Sequence, residues 1–514
     1  MLGQESNNGN GKVLLLDDLM SKLDNLRRSG KVVVQTHGVF DLIHPGIIKH
    51  LNEAKTQGDV LIVTVIKDKD VRRGSGRPVF PEELRLENVA ALHQVDYVCL
   101  VDDEIPFQCL QTIKPDVFAK GQTYKERDKT IHRKIFEEER DLFFGKTKLY
   151  ETTGFSFSSS KIINNFLDIY PPETKKFLES FSQQYDFYYI ADALETLKNL
   201  KVLLIGDGII DEYHYCESMG KSAKAHLIVS KYLNQESFPG GAFAIANHLA
   251  GICDNIHLIS LLGAEDSRED FIRDTLKSNV SAKFFYRKDG PTIIKKRYLN
   301  QYLNQKLFEI NYLNDRFING DNEAQIIDYL IQIMGDCDLV LVSDFGHGFI
   351  TNRIIGVIET YAKVYAVNAQ TNSANAGYNL ITKYDKPNFV CLDEPELRLS
   401  CQEKFAEIEL VAKNVLKDIE AQHLIVTLGK HGSLGVNNQN EICRTPIFSS
   451  RVVDTVGAGD AFFAFTAPCF AREMPLDLVS FIGNAVGALA VQIICNKKPV
   501  EKPDLLEFIH TILR

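Results

Sequence analysis

The sequence predicts an α/β protein built in two halves, and three observations carry that prediction. Lys31-Val-Val-Val-Gln-Thr36, the helix-period segment His44–Lys55 and the apolar run Asp59–Ile66 give strand, helix, strand at the spacing of a βαβ unit, which implies a parallel sheet. Leu339-Val-Leu-Val-Ser-Asp344 is an almost unbroken apolar run ending in a carboxylate, the pattern of a parallel strand buried on both faces. Between them Tyr170-Pro-Pro-Glu173 breaks the chain, and 514 residues exceed what a single hydrophobic core sustains.

Residues 1–12 are rich in Asn, Gly and Ser, lack the apolar stretch of a signal peptide and read as a disordered tail. A first domain, 13–170, follows. After the opening βαβ unit it continues through a helix at Leu84–His93, strands at Tyr97–Val101 and Val117–Lys120, and a closing helix from about Ser158 to Leu167. Residues 171–198 read as a charged helical linker. The second domain, 199–514, opens with the strand Lys201–Gly206, and Tyr213–Glu217 and His226–Tyr232 read as short strands of a lid. The halves do not resemble each other, so this is a fusion and not a repeat.

Composition narrows the class. Apolar residues make up 45% and charged residues 25%, ordinary for a globular chain. A formal net charge of −10 argues against general nucleic-acid binding, which wants a basic face, but not against nucleotides, for which a few amides and lysines suffice. The longest apolar candidates, near Val486–Ile494, are too short to span a bilayer. Ten cysteines from Cys99 to Cys495 include no Cys-x-x-Cys pair and read as reduced core thiols. The expectation is a cytoplasmic enzyme with neither nucleic-acid nor membrane partners.

Asp454-Thr-Val-Gly-Ala-Gly-Asp460 runs straight into the apolar segment Ala461-Phe-Phe-Ala-Phe465. Gly457, Ala458 and Gly459 can expose successive N–H groups at a helix start, where free amides and the helix dipole make an anion site. A carboxylate at Asp460 cannot help to bind that anion. It makes sense as a base that takes a proton from a hydroxyl while the amides hold a transferring phosphate. Alone, the string also suits a Gly-rich helix start steadied by an Asp. Upstream stand Phe238-Pro-Gly-Gly-Ala-Phe-Ala-Ile-Ala-Asn247 and Leu261-Leu-Gly-Ala-Glu-Asp266. With Asp454–Asp460 these resemble the two signatures of the ribokinase-like sugar kinases, the PfkB family, from about Leu200 to Arg514.

That resemblance implies an αβα sandwich with a small β lid over the sugar. It also implies roles: Asp460 as base, Gly457, Ala458 and Gly459 as the anion hole, and Asp211, Gly240, Gly241 and Asn247 at the sugar. Thr427, Gly429 and Gly432 would lie by ATP. Asp393-Glu-Pro-Glu396 stands in the place of the family's Asn-x-x-Glu, which makes Glu396 the residue to help position magnesium. Asp211 equally suits a turn, Asn247 a solvated helix face, and the acidic cluster a surface turn. Asp344 is a sugar-site candidate because ligands of open α/β sheets collect at the carboxyl ends of strands. ATP is the implied substrate and Mg2+ the implied cofactor. Lids of this family often pair, so a homodimer through the lid is an expectation.

Thr36-His-Gly-Val-Phe-Asp-Leu-Ile-His-Pro-Gly46 resembles the opening motif of the cytidylyltransferase-like nucleotidyltransferases, Gly-x-Phe-Asp-x-x-His-x-Gly-His, over about residues 30–168. Supporting matches are Gly76–Arg85, Pro115–Gly121 and Phe157–Ile162. The resemblance implies a Rossmann-like domain that binds ATP or CTP through Gly38, Phe40, His44, Lys120, Ser158 and Ser159, with His44 also catalytic, stabilising charge on the phosphates as pyrophosphate leaves. The departure is Ile47, an aliphatic side chain where the motif has its second histidine. Three readings follow: an impaired transferase, one rescued by Lys49 or His50, and a domain that only binds ligand.

The fusion resembles the bifunctional heptose 7-phosphate kinase/heptose 1-phosphate adenylyltransferases, with the transferase placed first here. Arg297–Asn300 and Asn304-Gln-Lys-Leu307 match that family, whereas Val367-Asn-Ala-Gln370 stands where it carries a Val-Asp-Pro-Lys-like segment. A changed substrate is the simplest inference from that loss of a carboxylate and a cation. The leading expectation is phosphorylation of a sugar or sugar phosphate by the second domain and nucleotidyl transfer by the first. The alternatives are a kinase with a regulatory first domain, and a catalytically dead sensor or scaffold.

Overall fold

The computed structural model describes residues 11–71, 76–102, 107–121, 147–153, 169–302, 305–449 and 452–513. The chain divides into two compact units, Met1–Ala191 with Glu507–Arg514, and Asp192–Leu506. Among the described residues, the first unit holds a five-stranded sheet in the order β3-β2-β1-β4-β5. The strands are β1 (Val33–Gly38), β2 (Val60–Ile66), β3 (Tyr97–Val101), β4 (Val117–Gly121) and β5 (Lys148–Thr152), all paired in parallel. Alternation along the strands sorts the core onto two faces. Val34, Leu61, Val63 and Val65 pack with Leu51 and Val89, from helices α2 (Pro45–Lys55) and α3 (Glu82–Ala90). Val33, Val60 and Ile62 pack on the other face with Leu19, Leu23 and Ile113, from α1 (Leu16–Arg28) and α4 (Phe107–Ile113).

The expected helix at Ser158–Leu167 lies outside the described residues. The linker contains two helices, α5 (Pro172–Gln184) and α6 (Phe187–Glu195). The first opens on a proline, whose missing N–H costs nothing at that position.

Among its described residues the second unit holds a nine-stranded sheet in the order β10-β9-β6-β13-β14-β15-β16-β17-β18. From β10 (Val280–Arg287) through β9 (Asn255–Gly263), β6 (Lys201–Gly206), β13 (Leu339–Asp344), β14 (Tyr365–Ala369), β15 (Phe389–Asp393) and β16 (His423–Thr427) the pairing is parallel. β17 (Ser433–Asn437) and β18 (Ile442–Thr445) add an antiparallel edge. On one face Leu203, Val340 and Val342 pack with Ile326, Leu330, Ile354 and Ile358, from the helices Gly320–Ile333 and Asn352–Tyr361. Helices Ala242–Leu249, Ala458–Ala471 and Leu476–Ala490 are apolar almost all round, which suits helices buried on nearly every side.

The lid is larger than the sequence indicated. Instead of short strands at 213–217 and 226–232, two 14-residue strands run antiparallel, β7 (Gly208–Lys221) and β8 (Ile228–Gly241). With β11 (Ile293–Asn300) and β12 (Gln305–Tyr312) they form a four-stranded sheet in the order β12-β11-β7-β8. β12 is exposed along its whole length, although Phe308, Ile310 and Tyr312 alternate with polar residues in its sequence.

Candidate functional site

The helix Ala458–Ala471 starts where the chain turns through Gly457 at φ 86°. A side chain there would be strained, and its Cβ would lie 2.0 Å from the Asn496 Oδ1. In this first turn the Ala458 N–H donates to the Thr455 carbonyl at 3.3 Å, while Gly459 and Asp460 have no such backbone bond among the described residues. Gly459 faces open space. Asp460 sits in the same turn, 7% exposed. Its Oδ1 accepts a hydrogen bond from the Gln370 Nε2 at 3.0 Å. Burial pushes its pKa up to about 7, helped by the charge of Asp211 and opposed by Gln370 and Lys295.

These residues line a cavity of about 800 Å³. Its wall takes Asn368 and Gln370 from the end of β14, Asp393 from β15 and Thr427 from β16, the carboxyl ends of parallel strands. Gly429, Lys430 and Gly432 from the following turn also line it, with Gly457, Ala458 and Gly459. The sequence-predicted residues Thr427, Gly429, Gly432, Glu396 and Gly457–Asp460 thus meet around one space.

Glu396 has a second, local task there. Its Oε2 accepts from the Asp393 N–H at 2.9 Å and its Oε1 from the Thr371 N–H at 3.0 Å, while the Asp393 Oδ1 accepts from the Glu396 N–H at 2.8 Å. This is a reciprocal helix cap. Burial and the neighbouring Asp393 push the Glu396 carboxyl upward.

Beside Asp460 the lid contributes charge. Asp211, 4% exposed, pairs with Arg297, whose Nε also donates to the Glu309 Oε2 at 2.7 Å. Lys295 is the register partner of Asp211 across β11 and β7, and is 9% exposed. A Cβ on Gly240 would stand 2.1 Å from the Asp211 Oδ2, so only glycine leaves that carboxylate its place. Gly241 caps the next helix at φ 54°.

Two candidate residues make further contacts within the protein. Asp344 lies at the carboxyl end of β13 but is 1% exposed, and its oxygens accept from Tyr384 Oη at 2.6 Å, Lys383 Nζ at 2.5 Å and the Gly346 N–H at 2.9 Å. It braces the loops that follow β13 and β14. Asn247 spends its amide on the Thr275 carbonyl and the Lys277 N–H, both at 2.9 Å, and so ties down a loop.

Sequence reasoning gives no role to Lys295, Gln370 or Lys430, and marks Gln370 only as a departure from a family pattern. Asp454, the first residue of the glycine motif, also has a definite place. Its Oδ2 accepts from Tyr213 Oη at 2.6 Å and its Oδ1 from Lys306 Nζ at 2.7 Å, both from lid strands. It also accepts from the Val456 and Cys495 N–H groups, each at 3.1 Å. These bonds hold its carboxyl below its usual range against the effect of burial.

In the first unit, His44 caps α2. The Gly46 N–H donates to its Nδ1 at 3.1 Å, which leaves Nε2 to carry the proton in the neutral ring. Burial lowers its pKa. Asp41, next to the positive-φ residue Phe40, accepts the Val79 and Phe80 N–H groups at 2.8 and 2.9 Å. Gly38 ends β1, and Lys120, near the end of β4, has its pKa lowered by burial. Ser158 and Ser159 lie outside the described residues.

The neighbours of Ile47 are engaged with other groups in this structure. Ile47 packs against the apolar cluster of Val34, Phe40 and Leu51. Lys49 pairs with Glu53 at 3.7 Å. The His50 ring is tied at both nitrogens, to Thr36 Oγ1 at 2.8 Å and Thr152 Oγ1 at 2.7 Å, and burial lowers its pKa to about 4.

All ten cysteines are free thiols. Among the described residues no helix is long and apolar enough to cross a membrane, and no group of three or more His, Cys, Asp or Glu is placed to hold a metal ion.

Known proteins resemble each half of the chain. The model of the pfkB family of carbohydrate kinases matches residues 199–494, and that described as cytidylyltransferase-like matches residues 36–165. The Bifunctional protein HldE of a Nitratiruptor species is 41% identical over 133 residues, 26% of this chain and 28% of that protein. That of Geobacter sulfurreducens is 33% identical over 174 residues, 34% of each. These matches lie in the cytidylyltransferase-like part and span about a third or less of the relatives' length. Phosphofructokinase-2 from Escherichia coli, solved in complex with potassium, superposes with a TM-score of 0.51 at 14% identity, over 61% of this chain and 100% of that one. At that identity the likeness shows the fold alone.

Proposed function

The chain belongs to the pfkB family of carbohydrate kinases, and from that premise we propose that its second unit transfers the γ-phosphoryl group of ATP to a hydroxyl of a sugar phosphate resembling heptose 7-phosphate. The observation that carries this reading is Asp460. It is a buried carboxylate in the first turn of a helix that starts at a positive-φ glycine, on the wall of a cavity large enough for a nucleotide.

In this reading Asp460 accepts the proton of the attacking hydroxyl. The amides of the turn starting at Gly457 hold the charge that develops on the transferring group. ATP lies along Thr427, Gly429, Lys430 and Gly432. Asp211, with Gly240 and Gly241 giving it room, orients the acceptor's hydroxyls, and Lys295 stands beside both carboxylates. Magnesium is usually held by one or two carboxylates plus substrate phosphates, which fits Asp393 and Glu396 at the cavity wall and the lack, among described residues, of a larger cluster. Bound there, it would neutralise charge on the triphosphate. The exposed lid residues Phe308, Ile310 and Tyr312 are where a second copy would pair.

We propose that the first unit binds a nucleoside triphosphate, ATP or CTP, at Gly38, Phe40, His44 and Lys120. As a transferase it would join a nucleotide to a sugar 1-phosphate. Ile47 favours the second reading, a ligand-binding unit with slow or no turnover, because a lost charge-stabilising donor costs about 10²–10³ in rate and neither Lys49 nor His50 replaces it.

The test is ADP formation with MgATP and a panel of sugar phosphates headed by heptose 7-phosphate. Acceptor-dependent ADP that Asp460→Asn abolishes is the expected result. Turnover that survives Asp460→Asn, or none with any acceptor, would overturn the kinase reading.

A further inference from the structure

Gln370 is the side chain in direct hydrogen-bond contact with Asp460, and its orientation is fixed from four directions. Its backbone N–H donates to the Asp344 carbonyl at 2.8 Å, and its carbonyl accepts from the Asn379 Nδ2 at 3.0 Å. Its side-chain Nε2 donates to the Asn368 Oδ1 at 2.8 Å and to the Asp460 Oδ1 at 3.0 Å. Asn368 is 5% exposed, and its own Nδ2 donates to the Cys391 carbonyl at 2.8 Å. That bond settles the whole chain of amides. With its nitrogen committed to Cys391, Asn368 turns its oxygen to Gln370. Gln370 must then present its NH2 end, which has two hydrogens for two oxygens. A flipped Gln370 would set its oxygen against both the Asn368 oxygen and the Asp460 carboxylate.

We propose that Gln370, set by Asn368, is the positioning residue of the catalytic carboxylate: it holds Asp460 Oδ1, keeps that carboxylate ionised and leaves Oδ2 to take the proton of the acceptor. This rests on the kinase reading given above.

The physical need is clear from what surrounds Asp460. Burial in low dielectric disfavours its charged form, and so does Asp211 on β7. Lys295 on β11 opposes them, and the Cys391 thiol on β15 is also nearby. A base that stays protonated at working pH accepts nothing. A neutral amide donor favours the ionised form without forming an ion pair, which would weaken the carboxylate as a base. The amide occupies one oxygen, so the other is the one presented to the acceptor.

The experiment is the pH dependence of kcat/KM for the acceptor in wild type, Gln370→Leu, Gln370→Glu and Asn368→Leu, with Asp460→Asn as the blank. The acid limb should move up by about one pH unit in Gln370→Leu, which is about tenfold in rate below the limb, and the curves should converge at alkaline pH. Gln370→Glu should move it further, because a like charge then faces Asp460. Asn368→Leu, which reaches Asp460 only through Gln370, should move it less and in the same direction. An unmoved limb with only a raised KM for ATP would show Gln370 to be cavity wall and overturn the proposal. If no acceptor turns over, the kinase reading fails by itself, and the proposal is read from melting temperatures. A carboxyl with a raised folded pKa makes wild type lose stability relative to Asp460→Asn as pH rises through that pKa. Gln370→Leu should shift the midpoint of that difference upward, and a fixed midpoint overturns the proposal.

Discussion

His50 shows how one side chain can make a site both stable and sensitive to acid. It bridges Thr36 in β1 and Thr152 at the end of β5, and so joins helix α2 to both strands. Buried there, it stays neutral in the folded chain down to a pKa of about 4, against an ordinary value near 6.5. The unfolded chain therefore binds the extra proton first as pH falls. The contribution of His50 to stability is complete above about pH 6.5 and is lost progressively toward pH 4. Thermal melting of the first unit's transition, followed from about pH 7.5 to 5, should fall more steeply in wild type than in His50→Gln. Parallel curves would show that the ring is not held neutral. Ile47, three positions earlier, is the complementary case. Its side chain serves the apolar cluster of Val34, Phe40 and Leu51 and offers no donor, so His44 is left as the one histidine of the motif positioned at the helix start.

At the scale of elements, the lid and the catalytic helix meet through Asp454. Tyr213 from β7 and Lys306 from β12 both reach its carboxylate, which also holds the Val456 and Cys495 N–H groups just ahead of the anion hole. Lid position and loop shape are thus joined at one buried group. Tyr213→Phe removes a buried hydrogen bond to a charged partner, worth about 1.5–3 kcal/mol. It should lower kcat of the kinase reaction several-fold with little change in the KM for ATP, because Tyr213 does not line the nucleotide cavity. A raised KM for ATP with normal kcat would contradict this coupling. The strands β6 and β13 could be read from the sequence to the residue, because each is a continuous apolar run closed by a polar or glycine position. The lid could not. β12 alternates at Phe308, Ile310 and Tyr312 but buries nothing, and the last third of β7, from Glu217 to Lys221, is mostly exposed, so burial against a core set the bounds of neither. The same limit applies to the site. Gly457 to Asp460 are adjacent in sequence and speak as a motif, whereas Gln370 and Lys295 reach Asp460 only because sheet order brings β14 and β11 to it.

For the whole molecule, the proposal that both units bind a nucleotide makes a claim that does not depend on turnover. The second unit has a cavity of about 800 Å³ beside its anion hole, and the first has a capped helix start at the carboxyl end of a parallel strand, the usual place for a ligand in such sheets. Wild type should therefore bind two nucleoside triphosphates per chain in isothermal titration calorimetry with magnesium and a non-hydrolysable ATP analogue, with CTP as competitor. Gly457→Val, which puts a branched side chain at φ 86° against Asn496, should leave one site. His44→Ala should remove the other, at a cost in helix capping of about 1 kcal/mol that a melting curve can check. One site in wild type, unaffected by His44→Ala, would mean that the first unit has kept its fold and lost its ligand. Two sites of which each variant removes one would mean that Ile47 took away speed and left binding, so that the chain joins a kinase to a nucleotide-responsive partner within the same molecule.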